Sequence, residues 1–396
     1  MAPAGFETAD DTARRAANPL RRLTIDELRR RKGIKWRHHP ADVLPLWIAD
    51  MDATPAPAVV DAVSLAFERG DTGYPPFDAT MAEAWDQFAA KRWGWRMATE
   101  RTMVVPSALT GIAETLKVTT EPGDVVVVNS PGYGLHRHIA EGLGRRVVEA
   151  PLGPDHRIDL EALRAAFGRT VDGGRPTVFL LCSPHNPTGT VHTAQELAAV
   201  ARLARQSGVR VVSNEIHAPL VPSGAHHVPY LSVPGTEDAV AVYSASKGWH
   251  LSGFRAGMLA WAQEADDVLR RIPLSVAHEL SGIGVIAQTA ALRLGGGWLD
   301  ALLAGLDDNR RLLGELLERH LPGVRYRRPE GTYLAWLDCR ALGLGDDPAA
   351  AFLERGRVAL SPGLEFGTGG AGHVRLNFAT SPEILTEAVR RMGTLA

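Results

Sequence analysis

The sequence predicts an α/β protein: a large, doubly wound, mostly parallel sheet, followed by a smaller α+β unit at the C-terminal end. Three observations predict this. Between about residues 100 and 265, short valine-rich runs alternate with amphipathic segments of helical period. Valine-rich runs of this kind suit strands buried on both faces, as in parallel sheets. After about residue 290 the pattern changes to one long helical stretch followed by short strands and helices.

The elements follow in chain order. Residues 1–20 read as a loose arm, rich in Ala, Asp and Arg and without sustained periodicity. We take 1–45 as this arm plus a segment that packs on the small domain, 46–290 as the large ligand-binding domain and 291–396 as the small domain. The strand runs of the large domain are TMVVP, DVVVVNSP, RRVVEAPL, TVFLLCSP, VRVVSNE and AVAVYSASK. Between two of them lies AQELAAVARLARQSG (194–208), a helix expected to stop at Gly208 and lead straight into a strand. In the small domain a helix over 299–321 precedes the strand GTYLAWLDC, a helix near 348–355, the short VALSPG and the strand VRLNFA.

Composition narrows the function classes. Lys and Arg number 43 against 45 Asp and Glu, a net charge of −2 that calls for neither nucleic acid nor an anionic membrane. The two cysteines, Cys182 and Cys339, sit in apolar stretches far apart and read as buried thiols. No CxxC or Cys/His cluster suggests a metal. The first twenty residues lack the apolar run of a signal peptide, and no stretch approaches the roughly 18–20 apolar residues of a membrane helix, so a cytoplasmic protein is expected.

Five segments carry chemistry. In SASKGWHLSGFR (244–255), Lys247 follows a buried strand, where desolvation lowers an amine's pKa and frees it for Schiff-base chemistry. Ser244, Ser246 and Arg255 offer donors and positive charge to a phosphate. In SPHNPTGTV (183–191), two prolines and a glycine force a tight loop at a strand end, where open α/β sheets bind ligands, and Asn186 sits inside it. VVSNEIH (211–217) places Asn214 and His217 at another strand end, and NSPGYGLH (129–136) places Tyr133 at a third. In VRLNFA (374–379), Arg375 lies in an apolar strand and needs an anion, which a substrate carboxylate or an internal acid would supply. Taken singly, Lys247 reads more readily as a surface lysine, Tyr133 as a core ring and His217 as a satisfied core histidine. Their order and spacing together are far more specific.

With LPLWIADMDATPAP (44–57) and GYPP (73–76), the set resembles the fold-type I pyridoxal-phosphate enzymes, the aspartate-aminotransferase superfamily, over about residues 30–393. Within it the chain is similar to the cystathionine β-lyase branch of MalY/PatB type. The resemblance implies pyridoxal 5'-phosphate bound as a Schiff base to Lys247, which then shuttles protons. It implies that Asn186 bonds the cofactor's phenolic oxygen, with Tyr133 stacked on the ring. Ser107, Ala108 and Leu109, opening a helix at 108–117, would hold the phosphate with Ser244, Ser246 and Arg255. Asn214 and His217 would complete the cofactor site. Arg375 would clamp a substrate carboxylate, helped by backbone near Ala49 and Asp50. Tyr74 resembles the tyrosine that reaches the phosphate site of a second copy, which implies a homodimer with shared active sites.

Two positions depart from the family. Asn214 stands where an aspartate normally keeps the pyridine nitrogen protonated, and His250 where the branch often has asparagine. The first change weakens the electron sink and should harm amino transfer more than β-elimination. The reading that follows is a C–S β-lyase acting on a cysteine S-conjugate or a cystathionine-like amino acid. Set beside it are an aminotransferase, a biosynthetic enzyme of lincosamide-pathway type that decarboxylates and oxidatively deaminates an S-cysteine conjugate, and a regulator that merely retains the cofactor.

Overall fold

The computed structural model describes residues 18–76, 78–171 and 176–395, so most of the expected N-terminal arm lies outside the described residues. Thirteen strands follow in order: β1 Leu44–Pro45, β2 Thr102–Val105, β3 Val125–Ser130, β4 Arg146–Pro151, β5 Thr177–Cys182, β6 Val209–Asn214, β7 Val240–Tyr243, β8 Gly257–Trp261, β9 Arg325–Tyr326, β10 Leu334–Asp338, β11 Val358–Ala359, β12 Ser361–Pro362 and β13 His373–Asn377.

Seven strands form one sheet in the order β2-β8-β7-β6-β5-β3-β4. The pairs from β4 to β7 are parallel, while β8 runs antiparallel to both β7 and β2. Alternate residues supply opposite faces. Val125, Val127, Phe179 and Leu181 join a cluster with Phe167 and Leu197, whereas Val126, Val128, Val178 and Leu180 join one with Ile112 and Leu116. Burial on both faces is why these strands read as unbroken apolar runs.

The helix Ala194–Gln206 shows how local chemistry sets the crossovers. Thr193 and Glu196 form a capping box at its start. Its N-cap contributes on the order of 1 kcal/mol. Gly208, at φ 62°, turns the chain directly into β6.

A four-stranded antiparallel sheet, β12-β13-β10-β9, follows the long helix Gly296–His320. The N-terminal β1 pairs in parallel with β11, far away in sequence. One apolar cluster runs from Trp85 and Trp249 through Leu302 and Leu317 to Phe378 and Met392. Among the described residues no helix is long and apolar enough to cross a membrane.

This topology positions the site. The chain runs from β3 outward to β4, then returns to β5 on the other side of β3. A reversal of strand order leaves a crevice at the carboxyl ends of the strands. The loops carrying Tyr133 and Asn186 leave β3 and β5 at that crevice.

Candidate active site

A cavity of about 150 Å³ opens at these strand ends. Its wall contains Ala49, Ser107, Ala108, Leu109, Tyr133, Asn186, Asn214, His217, Ser244, Ser246, Lys247 and Arg255. Residues from six stretches of sequence thus meet in one place. Cys182 and Ile216 also line it. Both cysteines are buried free thiols.

Lys247 donates to the Ala49 carbonyl at 2.7 Å and to Ser252 Oγ at 3.3 Å. Desolvation lowers its amine to a pKa of about 8, Asp50 works against that shift, and the Arg375 charge adds to it. An amine so placed is largely protonated at neutral pH but retains a reactive neutral fraction.

One end of the cavity suits a phosphate. Ser107 caps the helix Ala108–Thr119, accepting a hydrogen bond from the Thr110 amide. The first amides of a helix have no acceptor within it, and the macrodipole is positive there. Gly257 allows β8 to lie close to this terminus, since a Cβ there would come within 3.1 Å of the Ala108 nitrogen. Arg255 adds a guanidinium that no carboxylate pairs among the described residues. Ser244 departs from expectation. It lines the cavity, but its hydroxyl donates to the Ala256 carbonyl at 2.8 Å and also meets Gln288, so it holds the turn together instead of offering a free donor.

The other end is polar but carries no acid. No Asp or Glu lines this cavity among the described residues. Glu215, next to Asn214, turns away and accepts from Ser213, His227 and the Tyr230 amide. Asn214 instead meets His136 at 2.9 Å. His217 is buried, its Nδ1 without a partner, and desolvation brings its pKa to about 3. Burial also raises the Tyr133 phenol.

Arg375 lies beside the cavity, on β13. It donates to Asn186 Oδ1 at 3.1 Å, to the Trp47 carbonyl at 3.0 Å and to Ser361 Oγ at 2.9 Å. Every partner is neutral, and its Nε has none. Its side chain is buried and its pKa lowered by desolvation. A buried cation without a counter-ion is costly, and an anion beside it would offset that cost. By occupying Asn186 Oδ1, it also leaves the Asn186 NH₂ for the cavity.

Two expected residues lie elsewhere. Asp50 is outside the cavity wall: its carboxylate pairs with His250 at 2.9 Å, its N–H donates to Ile48, and its carbonyl accepts from Lys35 and Asn377. With these groups engaged, its backbone is not free for a substrate; Ala49 alone of the pair lines the cavity. Tyr74 is 83% exposed, against the His278 ring. Sequence reasoning also passed over Ser252, His136, Ser361 and Tyr333, whose hydroxyl donates to Ala49 at 3.0 Å. His136 lies three residues after Tyr133, one helical turn on, and that spacing was the available signal.

The donors and the desolvated amine fit a flat phosphate-bearing aldehyde. A doubly wound sheet with a desolvated lysine past its strand end defines the class as fold-type I. The chain belongs to the aminotransferase class I and II family, whose model matches residues 41–392. It is 54% identical over 398 residues to a Mycobacterium tuberculosis protein provisionally named a cystathionine beta-lyase, covering 95% of this chain and 98% of that one. It is 33% identical over 363 residues to the cystathionine beta-lyase PatB of Bacillus subtilis, covering 89% and 92%. The crystal structure of the PLP-bound C-S lyase from Staphylococcus hominis superposes with a TM-score of 0.86 at 25% identity, covering 94% of this chain and 98% of that one.

Proposed function

We propose that this chain is a carbon–sulfur β-lyase that holds pyridoxal 5'-phosphate on Lys247 and cleaves cystathionine-like cysteine S-conjugates. In the net reaction a conjugate R–S–CH₂–CH(NH₃⁺)–COO⁻ and one water give the thiol RSH, pyruvate and ammonium. The carrying observation is the pair of unlike cations at one site, a lysine whose pKa is lowered to about 8 and an arginine without a counter-ion. The names of the family members give the reaction class.

The roles follow from the donors. The amides opening the helix Ala108–Thr119, with Ser246 and Arg255, would hold the phosphate. Tyr133, Asn186, Asn214 and His217 would hold the ring. Arg375 would receive the α-carboxylate. When bound, the cofactor supplies an electron sink for the pair left behind as the Cα proton departs. Lys247 removes that proton and carries it towards the departing sulfur. A pKa near 8 leaves about a tenth of the amine neutral at pH 7, against well under a thousandth for an ordinary lysine.

We also propose a homodimer in which Tyr74 reaches the phosphate site of the second copy; its 83% exposure, with Leu274 at 78%, supports a covered face. Two buried free thiols go with a cytoplasmic setting. The test of the activity is incubation with cystathionine, following thiol, pyruvate and amino transfer to an added 2-oxo acid. Equimolar thiol and pyruvate are expected; amino transfer without thiol release would overturn the proposal.

A further inference from the structure

Next to the lysine cavity lies a larger open cleft of about 1140 Å³, and the two share Tyr133. Arg375 lies on the cleft's wall and is hydrogen-bonded to Asn186 on the cavity's, so it stands at their junction. A substrate whose carboxylate sits on Arg375 and whose amine reaches towards Lys247 has this cleft open to its remaining part, the substituent on sulfur. The cleft far exceeds the volume of a methyl or ethyl group.

Its chemistry is mixed, with eight apolar lining residues beside five charged ones. Trp47, Ile48, Leu135, Val147, Val148, Pro151, Leu364 and Phe366 line it, so side chains from the large sheet face others from the segment after β12. Leu135, 40% exposed, and Leu364, 53% exposed, are two large apolar residues left open to solvent on this one cleft. The charges nearly cancel: three arginines (Arg137, Arg169, Arg375) face two glutamates (Glu149, Glu365). Arg137 pairs with Glu149 and Glu141, and Arg169 bonds the Glu149 carbonyl. The one arginine in excess matches Arg375, already assigned to the α-carboxylate. Beyond Arg375 the cleft thus carries no net positive charge to favour a second carboxylate, such as the distal amino-acid head of cystathionine.

We propose that this cleft selects cysteine S-conjugates whose thiol half is bulky, apolar and uncharged. The inference rests on the β-lyase reading and sharpens its substrate class. The test compares three substrates of the holoenzyme: S-benzylcysteine, cystathionine and S-methylcysteine, with thiol and pyruvate both measured. S-benzylcysteine should exceed the other two in kcat/KM by at least tenfold. Leu364→Glu, at an exposed position, should cut the S-benzyl to S-methyl ratio of kcat/KM at least tenfold, and Leu364→Arg should shift preference towards cystathionine. Equal or better turnover of cystathionine by the unaltered enzyme, or ratios unmoved by both variants, would overturn the cleft assignment and leave the β-lyase reading standing. Release of thiol from none of the three would overturn both.

Discussion

Asn214, on the wall of the lysine cavity, holds its Nδ2 2.9 Å from His136 Nε2. The Ile216 amide donates to Asn214 Oδ1 at 3.3 Å, which fixes the orientation of the side-chain amide. The NH₂ therefore faces His136, whose Nε2 must present its lone pair. Burial supports that neutral form by lowering the imidazole to a pKa of about 4. Neither residue offers a negative charge, and no acid lines the cavity among the described residues to replace one.

Asn214→Asp tests the consequence. A carboxylate there stabilises a protonated pyridine nitrogen and so favours amino transfer over elimination. The ratio of amino transfer to pyruvate release should rise, by up to about tenfold for each unit gained in the ring-nitrogen pKa. Ring-nitrogen protonation can be read separately by ¹⁵N NMR of labelled cofactor. An unchanged ratio and an unchanged nitrogen shift would show that Asn214 does not tune the ring.

Lys247 can be tested in two ways. Borohydride reduction of the holoenzyme should fix the cofactor on Lys247 in a peptide map, and Lys247→Ala should abolish turnover. The apoprotein gives an independent reading. Its folded pKa of about 8 lies below the unfolded value of an ordinary lysine, so the unfolded chain binds more protons between them. Lys247 therefore costs stability in full below pH 8, and the cost fades as pH rises from about 8 towards 10.5. Lys247→Met should be more stable than the parent apoprotein at pH 7 by on the order of 3 kcal/mol, with the gap closing above pH 8. Urea unfolding at several pH values measures it, and a gap independent of pH would contradict the lowered pKa.

For Arg375 the expected signature is in KM. Arg375→Lys keeps a positive charge but loses the fork that joins Asn186, Trp47 and Ser361. Loss of such a contact costs roughly 2–5 kcal/mol, so kcat/KM should fall by at least about thirtyfold, mainly through KM. An unaltered KM in a folded, cofactor-loaded variant would make the arginine structural.

Tyr74 allows a complementation experiment. Lys247→Ala and Tyr74→Phe chains should each be severely impaired, and mixed dimers should regain part of the activity at the one site that carries both native residues. A fully active monomer at assay concentration would rule out shared sites.

The parallel strands were legible because burial on both faces leaves valine runs that no alternation interrupts. Lys247, Asn186, Asn214 and Tyr133 were legible because each follows such a run, and strand ends on this kind of sheet face the same crevice. What escaped depends on contacts remote in sequence. The pairing of Leu44 with Val358 leaves no local periodicity, and Asp50 looked available only because its hydrogen bonds to Lys35 and Asn377 cannot be inferred from its neighbours. Ser244 looked like a phosphate donor by residue type, yet its proton goes to Ala256, eleven residues beyond its immediate neighbour. The β8 strand GMLAW, short and antiparallel, was not singled out at all.

The stretch from Trp47 to Asp50 is fastened almost wholly by its own carbonyls. Trp47 accepts from Arg375 and Ser361, Ile48 from Asn377, Ala49 from Lys247 and Tyr333, and Asp50 from Lys35 and Asn377. Main-chain oxygens are the same whatever side chain they belong to. The side chains of Trp47 and Ile48, which line the outer cleft, can therefore change without breaking these hydrogen bonds, Trp47 giving up only its ring contacts with His38 and His39. A lineage under pressure to accept a new thiol has here a place to vary at little structural cost, and a directed-evolution library confined to these two positions would explore substrate range while Lys247 keeps its anchor.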